Sequence, residues 1–236
     1  RDTGSGSADI ALYTTNLFRD SNAWMHFLIE VDTTQGTNSN RVKIYLNGSQ
    51  ITAWATETYP AQNYDCELVK NHNVNISGWG DSTPDNSFID GYLAEMNFVD
   101  GTALTPASFG EAGDFNDWKP KEYTGSYGTN GFYLPFSVEA SVEEDRSGNS
   151  NNFNSVNIAT SDVVLDTPTN KFCSLNNLDY QWSKRSAVMR EGNLRCWDSS
   201  SDWTHVMGNM IIPKDKKVYY EVLAVNQSFY AGVALV

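Results

Sequence analysis

The chain has 236 residues, with 16 Lys and Arg against 29 Asp and Glu, for a net charge of −13. An acidic surface of that size repels phosphate backbones and anionic lipid, which argues against a nucleic-acid or membrane partner. No apolar run approaches the roughly 20 residues of a membrane span, while 40% apolar and 13% aromatic residues suffice for a core and leave flat side chains for a binding face.

In chain order, residues 9–15 alternate loosely and predict a strand. Residues 24–31 form a short, mostly apolar run rich in β-formers, a second strand. After a polar stretch, residues 41–46 alternate, with Val42, Ile44 and Leu46 on one face and Lys43 and Tyr45 on the other. Asn47-Gly48 follows; both residues accept positive φ, so the pair predicts a hairpin, with residues 50–55 as the return strand. Residues 66–69 and 74–76 predict short strands, and residues 78–86 a polar loop. Residues 88–99 predict a longer half-buried strand with Tyr92, Ala94, Met96 and Phe98 on one face and Leu93, Glu95 and Asn97 on the other. Thr105-Pro106 predicts a single helical turn, with Thr105 as N-cap.

Residues 114–131, rich in Asp, Lys, Pro, Gly, Tyr and Asn, mark a boundary. Residues 132–136 predict a strand with Pro135 at an edge or irregular position. Residues 141–154 read as a loop whose carboxylates, Glu143, Glu144 and Asp145, are solvated. Strands are predicted again at residues 187–190, 194–197, 205–210, 218–225 and 228–236. The whole is therefore expected to be all-β: a first domain over residues 1–113, an irregular linker with short strands over 114–186, and the start of a second β-domain over 187–236. Because the chain opens on Arg1-Asp2-Thr3 and closes inside an apolar pattern at Val236, a fragment of a longer polypeptide is expected. The three cysteines, Cys66, Cys173 and Cys196, are too widely spaced for a disulfide framework or a zinc site, so they are expected to be small buried hydrophobes, with a single bridge left open.

The Trp24-x-His26 pair, its apolar strand, and the later Tyr45-x-Asn47-Gly48 turn resemble the laminin-G-like, concanavalin A-like sandwich, as does the run from Phe88 to Met96. The resemblance covers about residues 8–110 and implies an antiparallel jelly roll whose N-terminal strands precede residue 1. More widely, Tyr59-Pro60-Ala61-Gln62-Asn63, Trp118-Lys119-Pro120, Gly131-Phe132-Tyr133-Leu134, Asp145-Arg146-Ser147-Gly148-Asn149 and Asp166-Thr167-Pro168 resemble virion proteins of marine bacteriophages. That likeness implies a tail fibre or similar appendage, located in the virion, that attaches to host-surface glycans or to other virion subunits; by analogy it would be a trimer. Gly192-Asn193-Leu194, Val218-Tyr219-Tyr220-Glu221-Val222 and Ala231-Gly232-Val233-Ala234 resemble the opening of a SPRY-type sandwich.

The sequence contains no catalytic pattern. Glycosidase relatives of the sandwich carry a Glu-x-Asp-x-x-Glu arrangement on one strand, which is absent here. His26, His72 and His205 have neither triad nor metal-ligand spacing. A binding protein needs no such set. For a glycan, aromatic faces stack on the apolar face of a pyranose while amides meet its hydroxyls; Trp54, Tyr59, Tyr64 and Trp79, with Asn63 and Asn73, are the candidates. Asp81, Asp85 and Asn86 in one loop, with Asp32 in another, offer oxygen ligands for calcium as a possible cofactor. Two other readings stand beside attachment: an accessory carbohydrate-binding module of an extracellular enzyme, and an architectural virion decoration without a ligand.

Overall fold

The computed structural model describes residues 10–20, 23–66, 74–76, 89–113, 117–137, 141–159, 162–176, 187–198, 205–225 and 232. The protein is all-β, and its sheets are small and antiparallel. Among the described residues, helix enters only as 3₁₀ turns such as Asn38–Asn40 and Pro106–Ser108.

Strand β1 (Ala11–Thr14) pairs with β5 (Trp54–Thr58), with an irregularity between Tyr13 and Thr14. The expected hairpin forms: β2 (Phe27–Val31) pairs with β3 (Val42–Leu46), which turns at Asn47-Gly48 into β4 (Ser49–Gln50). Asn47 and Gly48 have φ of 47° and 80°, as a two-residue primed turn requires. The return strand is shorter than the pattern implied. Residues 51–53 leave the ladder after Ile51 N–H bonds Ile44 O at 2.8 Å. The chain then re-enters a different sheet as β5.

The long strand expected over residues 88–99 is reduced to β6 (Met96–Phe98). Glu95, with φ of 54°, sits in the left-handed region and ends the extended run on its N-terminal side. Residues 74–76 are not in a strand, and residues 67–69 lie outside the described set. The turn at Pro106 forms as expected, although the Thr105 side chain makes no capping bond; Thr105 O accepts from Ser108 N instead.

The segment expected as a linker contributes two strands to sheets shared with earlier residues. Strand β8 (Trp118–Pro120) pairs with β7 (Gly110–Ala112), and β9 (Phe132–Leu134) pairs with β6. Their side chains join a run of aromatic contacts: His26 on Trp118, Phe109 on Tyr123, Tyr123 on Tyr127 and Tyr127 on Tyr133, with centroids 5.1–6.4 Å apart. Phe98 stacks on Phe132, which meets Phe153 edge-on. Ala11, Leu28, Val42, Tyr127, Phe132 and Leu134 are buried. Each buried aromatic removes a large apolar area from water, so these contacts hold the short strands where their few ladder bonds would not.

Farther on, β11 (Ala187–Arg190) and β12 (Arg195–Asp198) form a hairpin, and β10 (Leu175–Asn176) pairs with β13 (Met207–Gly208). The strand expected at residues 218–225 is not formed: the stretch joins no sheet, and Val218, Tyr219, Tyr220, Val222, Leu223 and Val225 are exposed. Alternation alone cannot make a strand without a partner ladder. The strand expected at 228–236 falls outside the described residues except for Gly232. No disulfide joins the three cysteines, and Cys173 and Cys196 lie at the surface rather than in the core.

Candidate functional site

Beside the β3–β4 hairpin, where the chain crosses to β5, lies an open groove of about 210 Å³. Its walls include Trp54 from the start of β5 and Tyr59 just past its end, together with Asn40, Gln50, Thr52 and Glu57. Trp54 and Tyr59 are both half-buried, so each ring keeps part of its surface on the groove. The charged groups nearby are already engaged. The Lys43 ammonium, which also lines the groove, pairs with Glu30 Oε1 at 3.0 Å, and Glu30 Oε2 accepts from the Tyr45 hydroxyl at 3.0 Å. The bond to Glu30 holds the Lys43 ammonium above its ordinary range. Glu57 Oε2 accepts from the Tyr59 hydroxyl at 3.2 Å. Burial, then the neighbouring Glu57, pushes the Tyr59 phenol up. The uncharged groups left to meet a ligand are therefore two aromatic rings, two amides and the hydroxyls of Ser39 and Thr52. That combination suits the apolar face and hydroxyls of a neutral sugar better than a charged ligand.

Of the residues the sequence singled out, the groove gathers Trp54 and Tyr59. Asn63 and Tyr64 stand outside it, in a turn where Asn63 takes φ of 59°. That turn is tied to the 32–36 loop: Asn63 N–H bonds Thr33 O at 2.8 Å, and Gln62 Nε2 bonds Thr34 O at 3.0 Å. Arg41 Nη1 bonds Pro60 O at 2.8 Å, closing the same junction. Asn63 thus ties its turn to that loop, Tyr64 N closes the turn on Ala61 O, and neither residue lines the groove. Trp79 and Asn73, like the calcium candidates Asp81, Asp85 and Asn86, lie outside the described residues. Asp32, the remaining calcium candidate, turns its carboxylate onto Thr34 and Gln35 at 2.6–3.1 Å. These bonds, led by that from the Thr34 hydroxyl, hold its carboxyl low; Asp32 is the anchor of a tight turn. Among the described residues, no three of His, Cys, Asp and Glu gather closely enough to hold a metal ion. Asn40, Gln50, Thr52 and Glu57 were not foreseen. Only their nearness to the Asn47-Gly48 turn could have pointed to them.

The two motifs that carried the sandwich resemblance meet at the far end of the same hairpin. Asn47 Oδ1 accepts from His26 N at 2.8 Å, and Asn47 N donates to His26 O at 2.9 Å. The His26 ring stacks on Trp118 at 5.6 Å, and its burial lowers the imidazole pKa. A Cβ at Gly48 or at Gly110 would overlap the Trp118 ring, so glycine is required at both. Trp24 Nε1 donates to Asp166 Oδ2 at 2.8 Å, and Asp166 Oδ1 accepts from Phe172 N at 2.7 Å. Alongside opens a cleft of about 580 Å³ lined by Trp24, Asn47, Ser49, Asp117, Trp118 and Lys171, among others.

Asp145 departs from expectation. It is buried rather than solvated. Its carboxylate accepts from Tyr133 N, Ser147 N, Ser147 Oγ and Asn151 N at 2.8–2.9 Å. Burial alone would raise its pKa, but these bonds outweigh burial and the carboxyl sits below its ordinary value. Asn149 and Asn151 reach the carbonyls of Gly128, Thr129 and Gly131. Every strong acceptor site of Asp145 is spent on the chain itself, so this acidic loop is a structural lock rather than a ligand cage.

Comparison with protein-family models, with curated proteins and with solved structures returns no match.

Proposed function

We propose that this chain belongs to a phage virion appendage of tail-fibre type and attaches to a host-surface glycan through the groove formed by Trp54 and Tyr59. The observation that carries the reading is the meeting of two half-buried aromatic rings with the Asn40 and Gln50 amides in a groove whose Lys43 is paired with Glu30 and whose Glu57 accepts a hydrogen bond from Tyr59. Such a surface binds a sugar by stacking and by hydrogen bonds to hydroxyls, and it needs no catalytic group. The junction of Trp24-x-His26 with Asn47-Gly48 supports the finer reading of the first domain as a laminin-G-like sandwich. In that reading, the β2 face bearing Phe27 and Ile29, 47% and 65% exposed, awaits a second layer.

That open apolar face favours a second reading, in which the chain contacts other virion subunits, because exposed apolar patches mark association surfaces. A glycan array separates the two. Attachment predicts a defined set of bound neutral oligosaccharides that is lost in Trp54→Ala. A purely architectural protein gives no bound spots at all.

A further inference from the structure

We infer that the groove takes an unbranched, extended stretch of several pyranose units lying along β5, rather than one terminal sugar, and that an extra residue in β5, Ala55, is the device that sets this. The inference deepens the proposed glycan-binding function and rests on it.

Side chains on a strand alternate between its two faces. Trp54 and Glu57 are three positions apart, and Trp54 and Tyr59 five. On a regular strand, Trp54 would therefore point away from both. The pairing with β1 places it otherwise. Thr14 lies opposite Trp54, and Leu12 lies opposite Glu57. Leu12 and Thr14 are two apart, so they share a face, and directly opposed residues of an antiparallel pair share a face as well. Tyr13 lies opposite Thr56, which leaves Ala55 as the extra residue of a bulge. A one-residue insertion shifts the alternation beyond it to the other face. Trp54, Glu57 and Tyr59 accordingly all line the groove, while Ala55, Thr56 and Thr58 do not.

The spacing of the rings sets the size of the ligand. From Thr14 to Leu12 is two residues of β1, and Tyr59 stands two beyond Glu57. The two aromatic positions are thus about 13 Å apart at the usual strand rise. One pyranose, a ring no longer than an indole, cannot stack on both. Among the described residues neither ring contacts another aromatic ring, unlike the run from Trp118 to Tyr133, so neither is spent on aromatic packing. The groove holds about 210 Å³, less than the roughly 300–1,000 Å³ of a pocket that encloses a small molecule. An extended chain that crosses it with one edge in solvent fits where an engulfed ligand does not. Ser39, Asn40, Gln50 and Thr52 offer partners to its hydroxyls from outside β5.

The test is calorimetric titration of the full chain with two neutral ladders, β-1,4-linked N-acetylglucosamine and β-1,4-linked glucose, each from monomer to hexamer. Affinity for at least one ladder should climb about tenfold or more from monomer to tetramer, beyond what the added binding registers supply, and then level off. Trp54→Ala and Tyr59→Ala should each cost the tetramer about tenfold and the monomer far less, because one ring remains. Deleting Ala55 restores the plain alternation and turns Trp54 to the opposite face. It should reproduce the Trp54→Ala pattern in a protein that still unfolds cooperatively; where the deletion fails to fold, the two alanine variants decide. Affinity that does not depend on length, or a folded Ala55 deletion that binds the tetramer normally, overturns the extended track and leaves the groove as a one-sugar site. No binding of either ladder at any length also overturns the track. A glycan array without a bound spot overturns the glycan reading as well.

Discussion

Replacing Asp145 with alanine tests whether a single carboxylate locks the loop after β9. The substitution removes the acceptor for three backbone N–H groups (Tyr133, Ser147 and Asn151) and for the Ser147 hydroxyl. A hydrogen bond to a charged group contributes about 1.5–3 kcal/mol, and a buried donor left unsatisfied costs about 1–3 kcal/mol. The four bonds share one acceptor and are not additive. Ser147 and Asn151 are half-buried and water can reach them in the variant. The expected net loss is therefore about 3–5 kcal/mol, with Asp145→Asn losing about half, since it keeps one carbonyl oxygen. Urea unfolding followed by tryptophan fluorescence reads this as a lower midpoint at unchanged slope. Amide exchange at Tyr133 should rise together with that of its β6 partner, Asn97. A loss below about 1 kcal/mol in Asp145→Ala would mean that the loop is held by something other than this carboxylate.

The remaining predictions concern the hairpin and pH. Gly48→Ala combines a positive φ with overlap of the Trp118 ring and should cost about 3 kcal/mol, seen as a fall in melting temperature; an unchanged melt would contradict the packing. Asp166→Ala leaves the Trp24 indole N–H without its acceptor and should cost about 1–2 kcal/mol, with the Trp24 indole resonance moving in NMR. His26 is held neutral by burial, with its folded pKa below the ordinary 6.5. The unfolded chain therefore takes up a proton first. Stability should be full above about pH 6.5 and decline as pH falls through the folded pKa, and His26→Phe should flatten that limb. The Asp145 carboxyl is likewise depressed, from an ordinary 3.8. Its contribution should persist above that pH and be lost in a second, more acid limb that Asp145→Asn removes; a single limb unaffected by either variant would contradict both assignments.

How much of this was legible in the sequence depends on whether a feature is local. The Asn47-Gly48 turn could be read because its backbone angles exclude most other residues, and the alternation of residues 41–46 then fixed the β2–β3 register, with Leu28 opposite Tyr45 and Glu30 opposite Lys43. The same alternation misled over residues 88–99, where Glu95 adopts a left-handed conformation that no side-chain pattern announces. It misled again at Val218–Val225, where an apolar rhythm exists but no strand among the described residues pairs with it. Asp145 looked solvated because Ser, Asn and Gly surround it. Those residues are the turn-formers whose N–H groups converge on a carboxylate, and the convergence is visible only in three dimensions. The groove was half legible. Trp54 and Tyr59 stood out as aromatic residues near a turn, but Asn40, Gln50 and Thr52 are ordinary polar residues until β3, β4 and β5 bring them together. The contact between His26 and Trp118 spans 92 positions along the chain, and nothing in either motif foretells the other.

The central claim is that Trp54 and Tyr59 form a sugar-binding surface. The most direct measurement is a titration of the nitrogen-15-labelled chain with a neutral oligosaccharide selected on the array, following the indole Nε1–H resonances. The account predicts that the Trp54 indole shifts saturably while the Trp118 indole, enclosed between Gly48 and Gly110, stays still, and that Tyr59→Ala weakens the titration. A saturable titration in which the Trp54 resonance does not move would contradict it.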